Sequence, residues 1–160
     1  MVEWSSRYYN NFEVIITMRT RESKKARYLR IAGEVARGST CLRRQYGAII
    51  VREDEIIATG YNGAPRGDAN CCDVGTCWRI QNNIPHGERY EMCVAVHAEM
   101  NAIISAARRD MIGSSLYLVG FDGDKPIKAE PCAICAKLIK NAGIKEVITY
   151  EDVAPIEATE

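Results

Sequence analysis

Hydrophobic and polar positions alternate along the chain with two different periods, and their order predicts a layered fold. From Ser23 to Gly38, "SKKARYLRIAGEVARG" places Tyr28, Leu29, Ile31, Ala32 and Val35 on one stripe at helical spacing. Ser23 suits the N-cap and Gly38 the stop. Two β-rich runs follow, "YGAIIV" (46–51) and "EIIATGY" (55–61), and predict a hairpin. Residues 62 to about 93 lose all periodicity and are dense in Gly, Pro, Asn and Asp, which predicts a long loop. Loops of this length inside a compact domain are usually functional or tied down. His97–Arg109 returns to helical spacing, with a small-residue face of Ala98, Ala102, Ile103, Ala106 and Ala107. "SSLYLVG" (114–120) predicts a strand and "FDGDKPIKAE" a loop. "PCAICAKLIKNAG" (131–143) predicts a helix with Pro at its first position and Gly at its stop. "KEVITY" (145–150) is the last expected strand, while "EVIITM" (Glu13–Met18) fits a strand or part of a helix. The order helix, strand, strand, helix, strand, helix, strand holds two βα crossovers, so the expected class is α/β with a mixed sheet.

Composition narrows the function. The 160 residues are enough for one domain with a full core. The 21 basic and 21 acidic residues cancel, which argues against binding long nucleic acid but leaves arginines for a small phosphorylated ligand. No apolar run of about 18 residues exists, and the N-terminus lacks a signal-peptide core, so a cytoplasmic protein without a membrane anchor is expected. Seven cysteines are odd in number and lack an export signal, which favours metal ligation over a disulfide framework.

Cys132 and Cys135 lie three residues apart in the first turn of the last expected helix, where the helix dipole favours thiolates. A Cys-x-x-Cys pair serves a redox dithiol or half a zinc site equally well. His97, also at an expected helix start, tips the balance. One histidine and two cysteines leave the fourth tetrahedral position open, as in catalytic zinc sites, where bound hydroxide is the nucleophile at neutral pH. Glu99 can reach the same point end-on, take a proton from that water and pass it to a leaving amine. His-x-Glu followed by Pro-Cys-x-x-Cys is the signature of zinc nucleobase deaminases, in which the glutamate is not a ligand.

With these motifs stand "STCLRRQYGAIIV", "ATGYNGAPRG", "GERYEMCVAVHAEMNAI" and "EPCAICAKLIKNAGIKEVI". Over roughly Lys25 to Tyr150 the chain resembles the cytidine/deoxycytidylate deaminase superfamily, and its deoxycytidylate (dCMP) deaminases most closely. The resemblance implies a three-layer α-β-α fold with a mixed, about five-stranded sheet, a deaminase domain over 21–155 and an N-terminal extension over 1–20. It implies hydrolysis of dCMP to dUMP and ammonia, feeding dTTP synthesis. It assigns zinc to His97, Cys132 and Cys135, and the proton shuttle to Glu99. The backbone at Ala98 would read the pyrimidine carbonyl and Asn62 would contact the sugar. Arg43 and Asn101 would lie near the phosphate, and Arg108 near the boundary of active site and subunit. The loop Gly60, Tyr61, Asn62, Gly63, Pro65 and Gly67 would bind an effector nucleotide with Mg²⁺, dCTP activating and dTTP inhibiting, in a homohexamer. Two features depart from the family. Thr149 stands where members often carry a tyrosine near the base, with Tyr150 next to it, so either Tyr150 substitutes or base stacking differs. Phe121–Ala129 is longer than the usual link and suits an interface or lid.

Five cysteines remain. Cys41, Cys71, Cys77 and Cys93 suffice for a four-thiolate structural zinc that would order the long loop, leaving Cys72 spare, with His86 able to replace one thiol. Relatives carry cysteines at similar places, and some hold a second zinc there. Buried free thiols are the competing reading. Arg43, Arg44, Arg66, Arg79, Arg89 and Arg108 are each chemically suited to a phosphate. Rival functions are a deaminase of dCTP or CMP and, in a different class, a zinc-stabilised nucleotide-binding module without turnover. An open coordination position beside Glu99 speaks against the latter.

Overall fold

Strands β1 (Gln45–Arg52) and β3 (Ser115–Asp122) pair antiparallel at the centre of a five-stranded sheet. They come from a computed structural model of the chain, which describes residues 21–85 and 87–153. Glu13–Met18 and His86 lie outside the described residues. Strand β2 (Glu55–Tyr61) covers the other edge of β1, antiparallel to it. The far edge of β3 is shared: β4 (Lys125–Ile127) pairs antiparallel with residues 120–122, and β5 (Glu146–Ile148) parallel with residues 115–117. The sheet is therefore mixed, as expected.

Period-two alternation sorts the side chains of the central strands onto two faces. Ile49, Val51, Tyr117 and Val119 pack against Tyr28, Leu29, Ala32 and Ala36 of helix α1 (Lys24–Ala36). Ala48, Ile50, Leu116 and Leu118 pack against Ala98 and Ala102 of α4 (Ala98–Ile104) and against Ile139 and Ala142 of α6 (Ala133–Ala142). A sheet buried on both faces between helices is the three-layer architecture. Both crossovers are present. β2 and β3 run parallel, since each is antiparallel to β1, and α4 lies between them in sequence; α6 joins β3 to β5.

Local chemistry explains the boundaries. The Ser23 hydroxyl accepts from the Ala26 amide at 3.1 Å and starts α1. In the long loop, the structure adds two single turns, α2 (Cys71–Val74) and α3 (Trp78–Gln81), and a 3₁₀ turn over 90–92. The helix expected over 97–109 is shorter. The Ser105 hydroxyl donates to the Asn101 carbonyl at 2.7 Å, occupying an acceptor of the last turn. The chain is extended at Ala107 before the short α5 (Arg108–Met111). "FDGDKPIKAE" is not all loop: Asp122 pairs with Lys125 around Gly123, whose φ of 59° allows the two-residue turn, and β4 follows. The last strand stops at Ile148, because Thr149 caps a 3₁₀ turn with Asp152. Pro131 lies outside α6, whose N-cap is Cys132. No helix among the described residues is long and apolar enough to cross a membrane.

Helix α1 lies directly on β1. A Cβ at Gly47 would overlap the Ala32 carbonyl and the Ala36 amide, both backbone atoms that cannot move aside. Gly47→Ala is expected to lower stability by about 1–3 kcal/mol, the cost of overpacking a filled core, read as a lower midpoint in urea unfolding.

Candidate metal centre and active site

The end of β2 seats the first half of the site. A Cβ at Gly60 would overlap the Ala98 carbonyl and the Ala102 amide, so this glycine lets α4 rest directly on the strand. Three residues further on, Gly63 and Val96 exchange backbone hydrogen bonds at 3.2 and 2.8 Å. That bridge fixes the residue before His97, which is the N-cap of α4 in extended conformation. The second half comes from α6. Cys132 is its N-cap, and its sulfur accepts from the Cys135 amide at 3.5 Å.

His97 Nδ1 lies 3.5 Å from Cys132 Sγ and 3.4 Å from Cys135 Sγ. Tetrahedral zinc with bonds of about 2.3 Å to sulfur and about 2.0 Å to nitrogen has an S···N edge of about 3.5 Å. The donor set therefore fits that ion in type and spacing. Among the described residues this is the one group of three or more His, Cys, Asp or Glu whose ligand atoms all lie within 4.8 Å of one another. Burial, then the charge of Arg79, holds the His97 pKa below its usual value, which favours the neutral imidazole that binds metal. Burial first, and then the Glu99 carboxylate, pushes the Cys135 thiol far up, so metal binding there would displace a proton.

Glu99 sits in the first turn of α4 and is only 5% exposed. Burial raises its pKa, against lowering by a backbone hydrogen bond and the Cys135 thiol. A carboxyl group of this kind can carry a proton that an exposed one would release.

These groups open onto a cavity of about 530 Å³, which is also lined by Arg43, Asn62 and Ala98. Arg43 donates from Nη1 to the Ile84 carbonyl at 3.4 Å. Asn62 is largely occupied. Its Oδ1 accepts from the Tyr46 amide and the Ser39 hydroxyl, both at 2.7 Å, and its Nδ2 donates to the Arg44 carbonyl at 2.9 Å, leaving one amide hydrogen. It thereby clamps the start of β1 to the end of β2. Asn101 and Arg108 do not line this cavity: Asn101 donates to the Tyr61 carbonyl at 2.7 Å, and the exposed Arg108 to the Asn141 carbonyl at 3.0 Å. In the loop 60–67, Gly60 and Gly63 are buried while Tyr61, Pro65 and Gly67 are exposed. Tyr150 packs edge-on against Phe121 beside α1, outside the cavity, so it does not stand in for the family tyrosine. The longer Phe121–Ala129 link forms the β3–β4 hairpin and returns at Lys128 and Glu130 on the cavity wall.

Cys41, Cys71, Cys77 and Cys93 line the same cavity. Burial, then the charges of Cys77, Cys41 and Cys93, raises the Cys71 pKa, but unlike the His97 group the four sulfurs do not all lie within 4.8 Å of one another. Cys72 is exposed. Tyr46, Tyr90 and Arg79 also line the cavity, and no motif in the sequence announces them. All three sit in aperiodic or strand-edge segments, where spacing carries no signal.

One imidazole, two thiols and a buried glutamate, gathered at two helix starts on one face of a mixed sheet, are the parts of a zinc-hydrolase centre. Residues 22–151 match the model of the cytidine and deoxycytidylate deaminase zinc-binding region, and the chain belongs to that family. A deoxycytidylate deaminase of Mycobacterium phage D29 is 39% identical over 126 residues, 76% of this chain and 89% of that protein. The deoxycytidylate deaminase of Schizosaccharomyces pombe is 35% identical over 132 residues, 82% of this chain but only 38% of that protein. A solved dCMP deaminase of cyanophage S-TIM5, in complex with dCMP and dUMP, superposes with a TM-score of 0.56 at 29% identity, covering 81% of this chain and 82% of that one.

His97→Ala is expected to remove about one tightly bound zinc per chain, because two thiolates alone do not make a closed or catalytic site. Metal analysis after dialysis against a weak chelator measures this, and unchanged zinc content would take His97 out of the ligand set.

Proposed function

We propose that this protein hydrolyses dCMP to dUMP and ammonia. The observation that carries the reading is the approach of His97 Nδ1 to both thiols beside the buried Glu99, in one nucleotide-sized cavity. The names of the relatives support the substrate. When bound by His97, Cys132 and Cys135, zinc would make a water acidic enough to act as a nucleophile at neutral pH. The chain's residues supply the rest. Glu99 would take a proton from the attacking water and give it to N3 as the oxygen adds to C4, then carry the second proton to the exocyclic amine, which would leave as ammonia. The water oxygen ends as the C4 carbonyl, and its two protons end on ammonia and on N3.

Ala98 opens α4, where backbone N–H groups have no partner within the helix, so its amide is free to read the pyrimidine carbonyl. The remaining hydrogen on Asn62 Nδ2 is available to the sugar. Arg43 suits the phosphate. Of the other cations on the cavity wall, Arg44 is paired with Asp122 at 3.7 Å, Lys128 with Glu130 at 2.6 Å, and Arg79 is buried against Tyr90, whereas Arg43 is only half-buried and no carboxylate is paired with it among the described residues. Asn101, tied to the Tyr61 carbonyl outside the cavity, is not placed at the phosphate within its own chain, while the exposed Arg108 is left for the boundary of active site and subunit in a homohexamer. Tyr61, Pro65 and Gly67 are exposed and fit an effector site for dCTP or dTTP with Mg²⁺. A second, structural zinc on Cys41, Cys71, Cys77 and Cys93 would hold the long loop against the cavity. Such a protein would work in the cytoplasm and feed dTTP synthesis.

Two experiments test this. Glu99→Gln should retain zinc and lose turnover by about 10²-fold or more, the range for a general acid–base group; substantial ammonia release by the variant would sink the shuttle role. A panel of dCMP, CMP, dCTP, deoxycytidine and cytidine, run with and without dCTP and dTTP, should single out dCMP. Preference for CMP or dCTP would replace the substrate. No turnover of any of them by zinc-loaded protein would favour the binding-module reading.

A further inference from the structure

Three side chains stack one on the next and end at His97. The Arg79 guanidinium carbon lies 4.5 Å from the centroid of the Tyr90 ring. Tyr90 meets His97 edge to face, with centroids 4.9 Å apart and planes at 86°. Arg79 is only 4% exposed. Its Nη2 donates to the Pro85 carbonyl at 2.5 Å, its carbonyl accepts from the Ile84 amide at 2.9 Å, and its Nε has no partner. No carboxylate pairs with it among the described residues; nearby Glu91 is taken by Arg89 at 2.9 Å. An isolated buried cation is costly. The face of an aromatic ring offers partial compensation, and the ring is held flat in return.

The other end of the stack lacks the usual means of orienting a metal-binding histidine. Such a ring normally donates from its second nitrogen to a carboxylate or carbonyl. The recorded polar contacts of the His97 ring are with Cys132 and Cys135, both through Nδ1, and no described residue accepts from Nε2. Packing by Tyr90 is the contact that remains to set the ring plane.

We propose that Arg79 and Tyr90 are positioning residues for the metal centre: Arg79 fixes the plane of Tyr90, and the perpendicular packing of Tyr90 on His97 holds that ring with Nδ1 facing the two thiols. This rests on His97 being a zinc ligand. Because ring shape is what acts, the phenol hydroxyl is dispensable. Because Arg79 acts through Tyr90, its removal matters only while Tyr90 is present.

The test uses the whole folded chain and two readouts, zinc affinity by chelator competition and the ligand-field bands of the Co²⁺-substituted site, taken as a difference from His97→Ala to remove any all-thiolate signal. Tyr90→Leu should weaken zinc by about 10-fold or more, the usual effect of disturbing a group that orients a ligand, and shift the bands. Tyr90→Phe should restore both. Arg79→Met should act in the same direction, Arg79→Lys should recover part of the loss, and Arg79→Met should add nothing to Tyr90→Leu. Wild-type affinity and bands in Tyr90→Leu would overturn the stack, and so would additive losses in the double variant. If Arg79→Met does not fold, Tyr90→Leu against Tyr90→Phe decides. Unchanged zinc and bands in His97→Ala would overturn the ligand assignment and the stack together, whereas a changed His97→Ala with an unchanged Tyr90→Leu overturns the stack alone.

Discussion

The direct seat of α4 on β2 is the constraint on which the site depends. At Gly60 the strand has no side chain, and the helix backbone occupies that space. The approach fixes the height of α4 over the sheet and therefore where its first residue begins. The Gly63–Val96 bridge sets the direction from which the chain enters. His97 is thus delivered as an N-cap, at the one place on the helix where a side chain looks along the axis rather than out from it. Cys132 reaches the same region by the same device on α6, with its sulfur tied to the Cys135 amide. Two helix starts on one face of a sheet can aim three donors at one point, although 35 residues separate His97 from Cys132.

Burial then makes the cluster chemically useful. It favours the neutral forms of His97, Cys135 and Glu99 in the absence of metal. For the histidine that is the binding form. For the glutamate it means a proton can be held and handed on. The same low-dielectric surroundings explain why Arg79 is stacked rather than left bare, and why Asn62 spends most of its capacity on Ser39, Arg44 and Tyr46. The cavity wall is a support for the chemistry as much as a surface for a ligand.

Much of this was legible in the chain. The β-rich apolar runs of β1 and β3 marked the central strands, and the helical stripe from Tyr28 to Val35 marked the layer above them. The site motifs were also legible, because His-Ala-Glu and Pro-Cys-x-x-Cys announce their chemistry by residue type and spacing. Boundaries were read less well where side chains competed with the backbone. Ser105 ends α4 early by bonding back to Asn101, and Gly123 turns an expected loop into a hairpin. Periodicity carries no record of such local exchanges of hydrogen bonds.

By itself, the sequence determined the class of fold, the type of ligands and the carboxylate beside them, since these follow from which residues occur and how far apart they stand. Only the tertiary structure decided which residues share the cavity. It brought Tyr90 and Arg79 to the back of His97 and gathered four loop cysteines along the same wall. It also turned Asn101, Arg108 and Tyr150 away from that cavity, although each lies close in sequence to a site motif or to a position where the family carries a site residue. The physical reason is that an aperiodic segment has no face of its own. Its side chains acquire neighbours only when the sheet and two helices fix where the loop must pass.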